Sequence, residues 1–215
     1  MNFNPDNAAV VIIDPQNDVL SPKGTVWAAV GASVTENKTV ANLERVLKAA
    51  KNKGVDVFVS PHYFYPTDSG WKLNGPVEAG ELDAGTFSRR GQLTLQDFEG
   101  SGADWVEPIK PYIEDGKTIV VSPHKVFGPQ TNDLVLQLRK RGLQKILLCG
   151  MIANLCVESH LRDFLEQGFE VTVISDATAG PRHPEWGDGY KAAMVNYQFL
   201  AHAVLPTDEV VKLLG

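Results

Sequence analysis

Short apolar runs recur along the chain, and segments with the helical spacing of apolar residues lie between most of them. A parallel strand that helices cover on both faces needs apolar side chains at successive positions, so the pattern predicts a sheet of that kind. The runs predict strands at Ala8–Ile13, Val55–Val59, Thr118–Val121, Lys145–Cys149, Glu170–Ile174 and about Ala201–Leu205. Helical spacing predicts helices at Thr39–Lys53, Thr131–Arg141, Cys156–Gln167 and Gly189–Phe199. We therefore predict an α/β fold, a three-layer open sheet of about six mostly parallel strands with helices on both faces and a Rossmann-like topology.

The segment 60–117 breaks this alternation. It is rich in glycine, proline, aromatic and acidic residues, and it contains only short candidate elements such as Trp105–Tyr112. Long irregular stretches inside a compact domain are commonly functional, so we expect loops here that shape a substrate pocket. A length of 215 residues suits one domain with one core. We predict a single domain over 1–215, with a loop-rich insertion at about 60–117.

Composition and charge exclude several classes of partner. The formal net charge is -6 and the isoelectric point is near 5.4, and no basic stripe is present to neutralise phosphates, which argues against nucleic acid. No apolar run reaches the roughly 18 residues that a membrane span needs, and no basic segment followed by an apolar one opens the chain. We expect a cytoplasmic protein that acts on a small molecule, without a membrane or a nucleic acid as partner.

Residues with reactive side chains follow several of the predicted strands. Asp14 follows the first strand, His62 the second, Lys125 the third and Cys156 the fourth. In open parallel sheets, ligands bind beyond the carboxyl ends of the strands. The sequence therefore predicts that these loops converge on one site at that edge of the sheet.

Cys156 is the predicted nucleophile. It lies at the start of a predicted helix, where unpaired amides and the helix dipole favour a thiolate and lower the pKa of a thiol from its usual value of ~8.5. Cys149 lies within an apolar strand and is interpreted as a small buried core residue. The spacing of the two cysteines fits neither a disulfide framework nor a common zinc motif.

Three residues are candidate partners for Cys156. Asp14 ends an apolar strand and suits proton transfer, although an acid there also suits a turn or a helix cap. Lys125 lies in a loop, where most lysines are simply solvated. His160 lies one helical turn after Cys156 and offers an alternative Cys/His pair, but two residues on one helix are poorly oriented for proton transfer.

Four stretches at the ends of predicted strands carry a family pattern: 11–18 (VIIDPQND), 121–125 (VSPHK), 149–157 (CGMIANLCV) and 174–179 (ISDATA). In these stretches the chain resembles the isochorismatase-like cysteine hydrolases, a superfamily that includes nicotinamidases and N-carbamoylsarcosine amidase. The resemblance implies the same fold, with Asp14 as acid and base, Lys125 as electrostatic support and Cys156 as nucleophile. It also implies a cis peptide at Ile152–Ala153, an oxyanion hole formed by the Ala153 and Cys156 amides, and a homo-oligomer, either a dimer or a tetramer.

The chain departs from the nicotinamidase pattern after the second predicted strand. Those relatives carry an Asp-x-His metal motif there, whereas this chain has Ser60-Pro61-His62. A lone histidine does not hold zinc without further ligands, so we predict no metal and no other cofactor, with Asp68 and Asp83 as the remaining candidate ligands. Residues predicted to contact substrate are Gln16, His62, Tyr63, Trp71, Ile152 and Trp186.

Cys156 favours a cysteine hydrolase that cleaves a C–N bond in a small amide, carbamoyl or ureido compound. Two alternatives stay within the same fold: an isochorismatase-type ether hydrolase, which needs no cysteine, and a non-catalytic binding oligomer. A nucleotide-binding protein is a third, but the acidic stretch after the first strand does not suit phosphate.

Overall fold

The computed structural model describes residues 4–215. Six parallel strands form the central sheet in the order β3-β2-β1-β4-β5-β8, and β6 and β7 form a separate antiparallel pair. The strands are β1 (Ala8–Ile13), β2 (Asp56–Ser60), β3 (Ile119–Val120), β4 (Lys145–Gly150), β5 (Glu170–Thr178), β6 (Arg182–His183), β7 (Gly187–Asp188) and β8 (Ala203–Leu205). The predicted α/β sheet is confirmed.

Helices cover both faces of this sheet. They are α1 (Asn17–Leu20), α2 (Trp27–Glu36), α3 (Thr39–Lys53), α4 (Pro76–Ala84), α5 (Lys110–Ile113), α6 (Leu134–Lys140), α7 (Glu158–Glu166), α8 (Gly189–Leu200) and α9 (Thr207–Leu214). Among residues 4–215, no helix combines the length and the apolar character that crossing a bilayer requires.

Alternate residues of β1 supply the two cores. Val10 and Ile12 belong to the cluster that includes α2, α3 and α9, whereas Val11 and Ile13 belong to the cluster with α6, α7 and α8. All four side chains are fully buried, which explains why this strand is apolar at every position.

Four predicted helices and six predicted strands are present, with ends that shift by a few residues. Helices α1, α2, α4 and α9 were not predicted. No residue of α4 is buried, so its sequence carries no apolar stripe that would mark a helix. The insertion predicted at about 60–117 contains α4 and α5, and most of the rest of it is irregular.

The strand order places the site. Strand β1 lies between β2 and β4, and the chain builds the sheet outward from β1 in both directions. Ligand sites of such sheets lie where the strand order reverses, and here that point is between the ends of β1 and β4. Gly150 ends β4 with a φ of 109°, and a Cβ there would lie 2.1 Å from the carbonyl oxygen of Ile13. A residue without a side chain is therefore needed for the two strands to end side by side.

Candidate active site

Backbone hydrogen bonds extend beyond the strands and tie the loops of the site together. The Asp14 amide donates to Ser60 O at 3.1 Å, the Met151 amide donates to Ile13 O at 2.8 Å, and the His124 amide donates to Pro61 O at 2.9 Å. The loops after β1, β2, β3 and β4 therefore meet at one edge of the sheet, as predicted.

Asp14 is held at the centre of this edge. Its φ is 46°, in the left-handed region that few residues other than glycine adopt, and its side chain is buried. The Oδ1 atom lies 2.8 Å from Nε2 of His124, and the carboxyl group also faces the thiol of Cys156. Asp14 therefore lies between an imidazole and the predicted nucleophile.

Cys156 lies in a short π-helical turn, Ala153–Val157, that precedes α7. Burial raises the pKa of its thiol well above the usual value, and the negative charges of Asp14 and Glu81 raise it further. A hydrogen bond from the Ile152 amide acts in the opposite direction. The prediction of a lowered thiol pKa is therefore wrong for this structure, because desolvation and two neighbouring acids outweigh the amides of the turn.

The predicted oxyanion hole needs correction at one position. The Ala153 amide donates to Ala179 O at 2.8 Å, so it is already occupied. The cis peptide bond joins Met151 and Ile152, one residue earlier than predicted. The Ile152 amide, and not the Ala153 amide, faces the sulfur of Cys156.

Lys125 does not occupy its predicted place beside Asp14. Its Nζ donates to Tyr63 O at 2.6 Å and forms an ion pair with Asp68. The same ammonium group lies 4.3 Å from the ring centroid of Tyr65. In the part of the chain that the structure describes, no hydrogen bond joins Lys125 to Asp14, and His124, the preceding residue, is the partner of that carboxylate.

Three buried histidines form a row beside the site, and we call it the histidine row: His62, His124 and His160. The ring centroids of His62 and His124 are 4.9 Å apart, and those of His124 and His160 are 5.0 Å apart. Burial lowers the pKa of His62 and of His160 well below the usual value, and the neighbouring His124 lowers both further. His62 and His160 are therefore neutral near pH 7.

His160 does not act as a base toward Cys156 in this arrangement. Its Nδ1 lies 2.7 Å from the carbonyl oxygen of Cys156, and its Nε2 lies 3.1 Å from Oγ of Ser60. Because a carbonyl only accepts, Nδ1 carries the proton and Nε2 accepts from Ser60. Both nitrogens are thus occupied, which argues against the Cys/His pair that was the alternative from sequence.

One group of side chains has the composition of a metal site. Asp14, His62 and His124 each offer one ligand atom, and these atoms lie within 4.8 Å of one another. Both ring nitrogens of His62 and Nδ1 of His124 lack a hydrogen-bond partner among the described residues. The candidate ligands Asp68 and Asp83 are not part of this group: Asp68 pairs with Lys125, and Asp83 is exposed on α4.

A cavity of about 590 Å³ opens next to the turn that carries Cys156. Its walls come from α2, α4, the turn at 152–155 and the segment 181–189. Ile152 and Trp186, two of the predicted substrate-contacting residues, line it. Glu81 of α4 and Asn154 also line it, although no pattern in the sequence marks either residue. In the sequence, Glu81 resembles any acidic residue on the surface of a helix. Only the structure shows that its charge acts on Cys156.

The other predicted substrate-contacting residues have structural partners instead. Gln16 is buried, and its side chain donates to His62 O at 2.8 Å and to Ala103 O at 3.0 Å. Tyr63 packs against Trp105 and Phe98, and Trp71 packs against Phe64. The described residues that line the cavity do not include Gln16, His62, Tyr63 or Trp71.

Comparison with known proteins finds one family over most of the chain. The sequence profile of the isochorismatase domain matches residues 8–207. The ureidoacrylate amidohydrolase RutB of Azorhizobium caulinodans is 29% identical over 209 residues, which cover 90% of this chain and 84% of that protein.

Solved structures with the same fold include a cysteine hydrolase from Pseudomonas syringae pv. phaseolicola, with a TM-score of 0.81 and 21% identity over 100% of this chain and 95% of that chain. The N-carbamoylsarcosine amidase of Thermoplasma acidophilum has a TM-score of 0.64 and 20% identity over 94% of this chain and 97% of that chain. At these identities the two structures show the shared fold.

Proposed function

The chain belongs to the isochorismatase family of hydrolases, and from this membership we propose that it hydrolyses the C–N bond of a small amide, carbamoyl or ureido compound through a covalent bond to Cys156. The observation that carries the proposal is the position of the Asp14 carboxyl group, which faces both the Cys156 thiol and His124. A buried, protonated thiol beside a carboxylate is the starting state of base-assisted nucleophilic attack.

The first half of the reaction forms a thioester. Asp14 takes the proton of the Cys156 thiol as the sulfur attacks the carbonyl carbon of the substrate. The tetrahedral intermediate then loses its nitrogen, and Asp14 returns the proton to that nitrogen, so that ammonia or an amine leaves. The raised pKa of Cys156 favours this order, because the sulfur keeps its proton until a substrate is present.

The second half regenerates the enzyme. Asp14 removes a proton from a water molecule that attacks the thioester carbon, and the proton then returns to the sulfur as the acid product leaves. The Ile152 amide, which already faces the sulfur, and the Cys156 amide are the proposed donors to the oxyanion in both halves. His124 fixes the orientation of Asp14 through its 2.8 Å hydrogen bond.

The substrate class rests on the relatives and on the cavity. One relative is a ureidoacrylate amidohydrolase and one structural neighbour is an N-carbamoylsarcosine amidase, so both printed names describe cleavage of a C–N bond. A cavity of about 590 Å³ suits a small molecule. We propose no nucleic acid or membrane as a partner.

A screen of small amides and ureido compounds, ureidoacrylate included, for release of ammonia tests the proposal, with Cys156→Ala as the paired control. Cys156→Ala and Asp14→Asn are each expected to lower turnover by at least ~10³ without loss of folding, as judged by circular dichroism. Mass spectrometry of the protein mixed with an active substrate should detect an acyl group on Cys156. A substrate that Cys156→Ala hydrolyses as fast as the native protein would refute the covalent mechanism.

A further inference from the structure

A series of hydrogen bonds reaches the backbone of Cys156 from the end of β2, and we call the three side chains that form it the His160 network: Asn132, Ser60 and His160. The side-chain amide of Asn132 donates to Oγ of Ser60 at 2.9 Å, and that oxygen lies 3.1 Å from Nε2 of His160. Nδ1 of His160 lies 2.7 Å from the carbonyl oxygen of Cys156. Ser60 and His160 are fully buried, so their bonds lie outside bulk solvent.

The chemistry of the groups fixes the direction of every bond in the His160 network. The Cys156 carbonyl only accepts, so Nδ1 of His160 carries the proton and Nε2 is an acceptor. The Ser60 hydroxyl then donates to Nε2, and its oxygen accepts from the Asn132 amide. A carboxylate at position 60 would need a proton on Nε2 as well, and the resulting imidazolium is unfavourable in a buried place. The hydroxyl of Ser60 therefore suits His160 where an acid does not.

The ring of His160 keeps one protonation state near neutral pH. Burial lowers the pKa of His160 well below its usual value, and the neighbouring His124 lowers it further. The carbonyl groups of Cys156 and Phe127 act in the opposite direction because they favour an N–H, but burial is the largest effect on this pKa. His160 is therefore a constant donor to Cys156 and not a group that exchanges protons during turnover.

The bond from His160 acts on the residue that carries the nucleophile. Cys156 lies in the π-helical turn Ala153–Val157, where the regular hydrogen-bond pattern of an α-helix is interrupted. The carbonyl carbon and the side chain of Cys156 share one Cα, so a carbonyl that is held in place limits the directions available to Sγ. This sulfur lies 3.8 Å from Val126 O and faces the Asp14 carboxyl group. A rotation of the Cys156 backbone would therefore turn the sulfur away from Asp14.

We infer that His160 is a positioning residue for the reaction at Cys156: with Ser60 bound to its far nitrogen, it fixes the Cys156 carbonyl and thereby keeps the sulfur directed at Asp14. The inference rests on the proposed function, because it concerns the same nucleophile. His160 takes no proton from the thiol and acts only through the backbone of Cys156. Misplacing a reacting group by about 1 Å lowers a rate by roughly 10²-fold, so loss of this contact should be measurable in kcat.

Two substitutions of His160 separate this role from a general effect on folding. The amide nitrogen of asparagine takes the position of Nδ1, so His160→Asn keeps a donor to the Cys156 carbonyl. The longer side chain of glutamine places its amide near Ser60, so His160→Gln loses that donor. Both variants replace a buried ring by an amide, and urea unfolding should show similar losses of stability. We expect His160→Gln to lower kcat at least about tenfold with KM nearly unchanged, and His160→Asn to stay within about threefold of the native kcat.

The alkylation rate of Cys156 tests the same contact without a substrate. A sulfur that turns away from Asp14 is easier to reach, and it escapes part of the negative charge that raises the pKa of the thiol. Iodoacetamide should therefore modify Cys156 at least about threefold faster in His160→Gln than in the native protein, and within about twofold of the native rate in His160→Asn. His202→Gln, which changes an exposed histidine after α8, is the control and should match the native protein in both assays.

Histidine NMR on the native protein covers the case in which the His160 variants fail to fold. In protein labelled with ¹⁵N, the His160 ring, assigned by correlation with its backbone, should be neutral and protonated at Nδ1 between about pH 6 and pH 8. A ring protonated at Nε2, or one that gains a charge in this range, overturns the inference.

The outcomes separate the two proposals. Equal kcat values and equal alkylation rates in His160→Asn and His160→Gln overturn the role of His160, because the donor to the Cys156 carbonyl then has no effect. The Cys156-dependent reaction stands in that case. Failure of every compound in the screen to release ammonia in a Cys156-dependent way overturns the proposed function, whereas alkylation and NMR still decide whether His160 holds the cysteine.

Discussion

His124 and Asp14 form a buried hydrogen-bonded pair, with Nε2 of the imidazole 2.8 Å from Oδ1 of the carboxylate and both side chains at most 2% exposed. A carboxylate accepts, so Nε2 carries the proton. The partner that holds the Asp14 carboxylate is therefore an imidazole and not an ammonium group.

The first prediction separates His124 from Lys125. His124→Gln keeps a hydrogen-bond donor near Asp14 but not the geometry of the imidazole, so we expect kcat to fall by about 10². Lys125→Met removes the ion pair with Asp68 and should lower the free energy of unfolding by about 1–3 kcal/mol with the pH profile retained. The measurements are pH–rate profiles and urea unfolding of both variants. A greater loss of turnover in Lys125→Met, with its fold intact, would restore the role predicted from sequence.

The second prediction concerns alkylation. Cys149 is fully buried, whereas Cys156 is 6% exposed, so iodoacetamide should modify Cys156 alone. Because the pKa of Cys156 is raised and the thiolate is the reactive form, the rate should be low at pH 7 and should increase with pH. Asp14→Asn removes one of the negative charges that raise this pKa, so alkylation at a fixed pH should become faster. Peptide mapping by mass spectrometry follows both cysteines, and modification of Cys149 first would contradict the assignment.

A third prediction concerns metals. We expect activity to survive exhaustive chelation, because Asp14 already accepts from His124 and Ser60 supplies no carboxylate to the site. Elemental analysis before and after chelation, together with an activity assay, is the measurement. The prediction is wrong if the protein contains a stoichiometric metal ion, if removal of that ion abolishes turnover, and if the His62→Ala protein does not bind it. That result would make Asp14, His62 and His124 a metal centre.

The fourth prediction links Glu81 to stability. Its pKa rises from 4.5 to about 8 on folding, so between these values the folded protein holds a proton that the unfolded chain has lost. The free energy of unfolding should therefore fall as pH increases through this window. Glu81→Gln removes this dependence, so its stability relative to the native protein should be higher at pH 9 than at pH 5. Chemical denaturation at both pH values tests this, and an equal difference at both would show that Glu81 titrates normally.

The fifth prediction is assembly into a homo-oligomer, a dimer or a tetramer. Phe199 and Val195 on α8 are 86% and 57% exposed, and apolar side chains of this size are commonly covered by a second subunit. Light scattering should give a mass at least twice the 23.5 kDa of one chain. A mass of one chain at micromolar concentration would contradict the prediction.

The sequence was sufficient for those features that depend on strand ends. Asp14 and Cys156 follow apolar strands, and the topology of a parallel sheet brings such positions together whatever the loops do. It was insufficient for choosing between His124 and Lys125. These residues are neighbours in one loop, and no pattern in the sequence of an irregular loop tells which of two successive side chains reaches Asp14.

The electrostatic error has a different cause. A cysteine near a helix start predicts a lowered thiol pKa only when the sulfur stays solvated or meets positive charge. Here Glu81 comes from a helix with no buried residues, far away in the sequence, and its approach to Cys156 follows from the packing of the insertion. No local pattern in the sequence records that approach.

The cavity and the reacting groups come from different parts of the chain. Asp14, His124 and Cys156 lie on loops that continue the ladder of the sheet, whereas the walls around Glu81 and Trp186 come largely from the insertion and from the segment after β5. Evolution toward a new substrate can therefore change the residues of the cavity wall and leave the residues that break the bond unaltered. Chimaeras that exchange only the wall segments between family members should inherit the substrate range of the donor and the chemistry of the recipient.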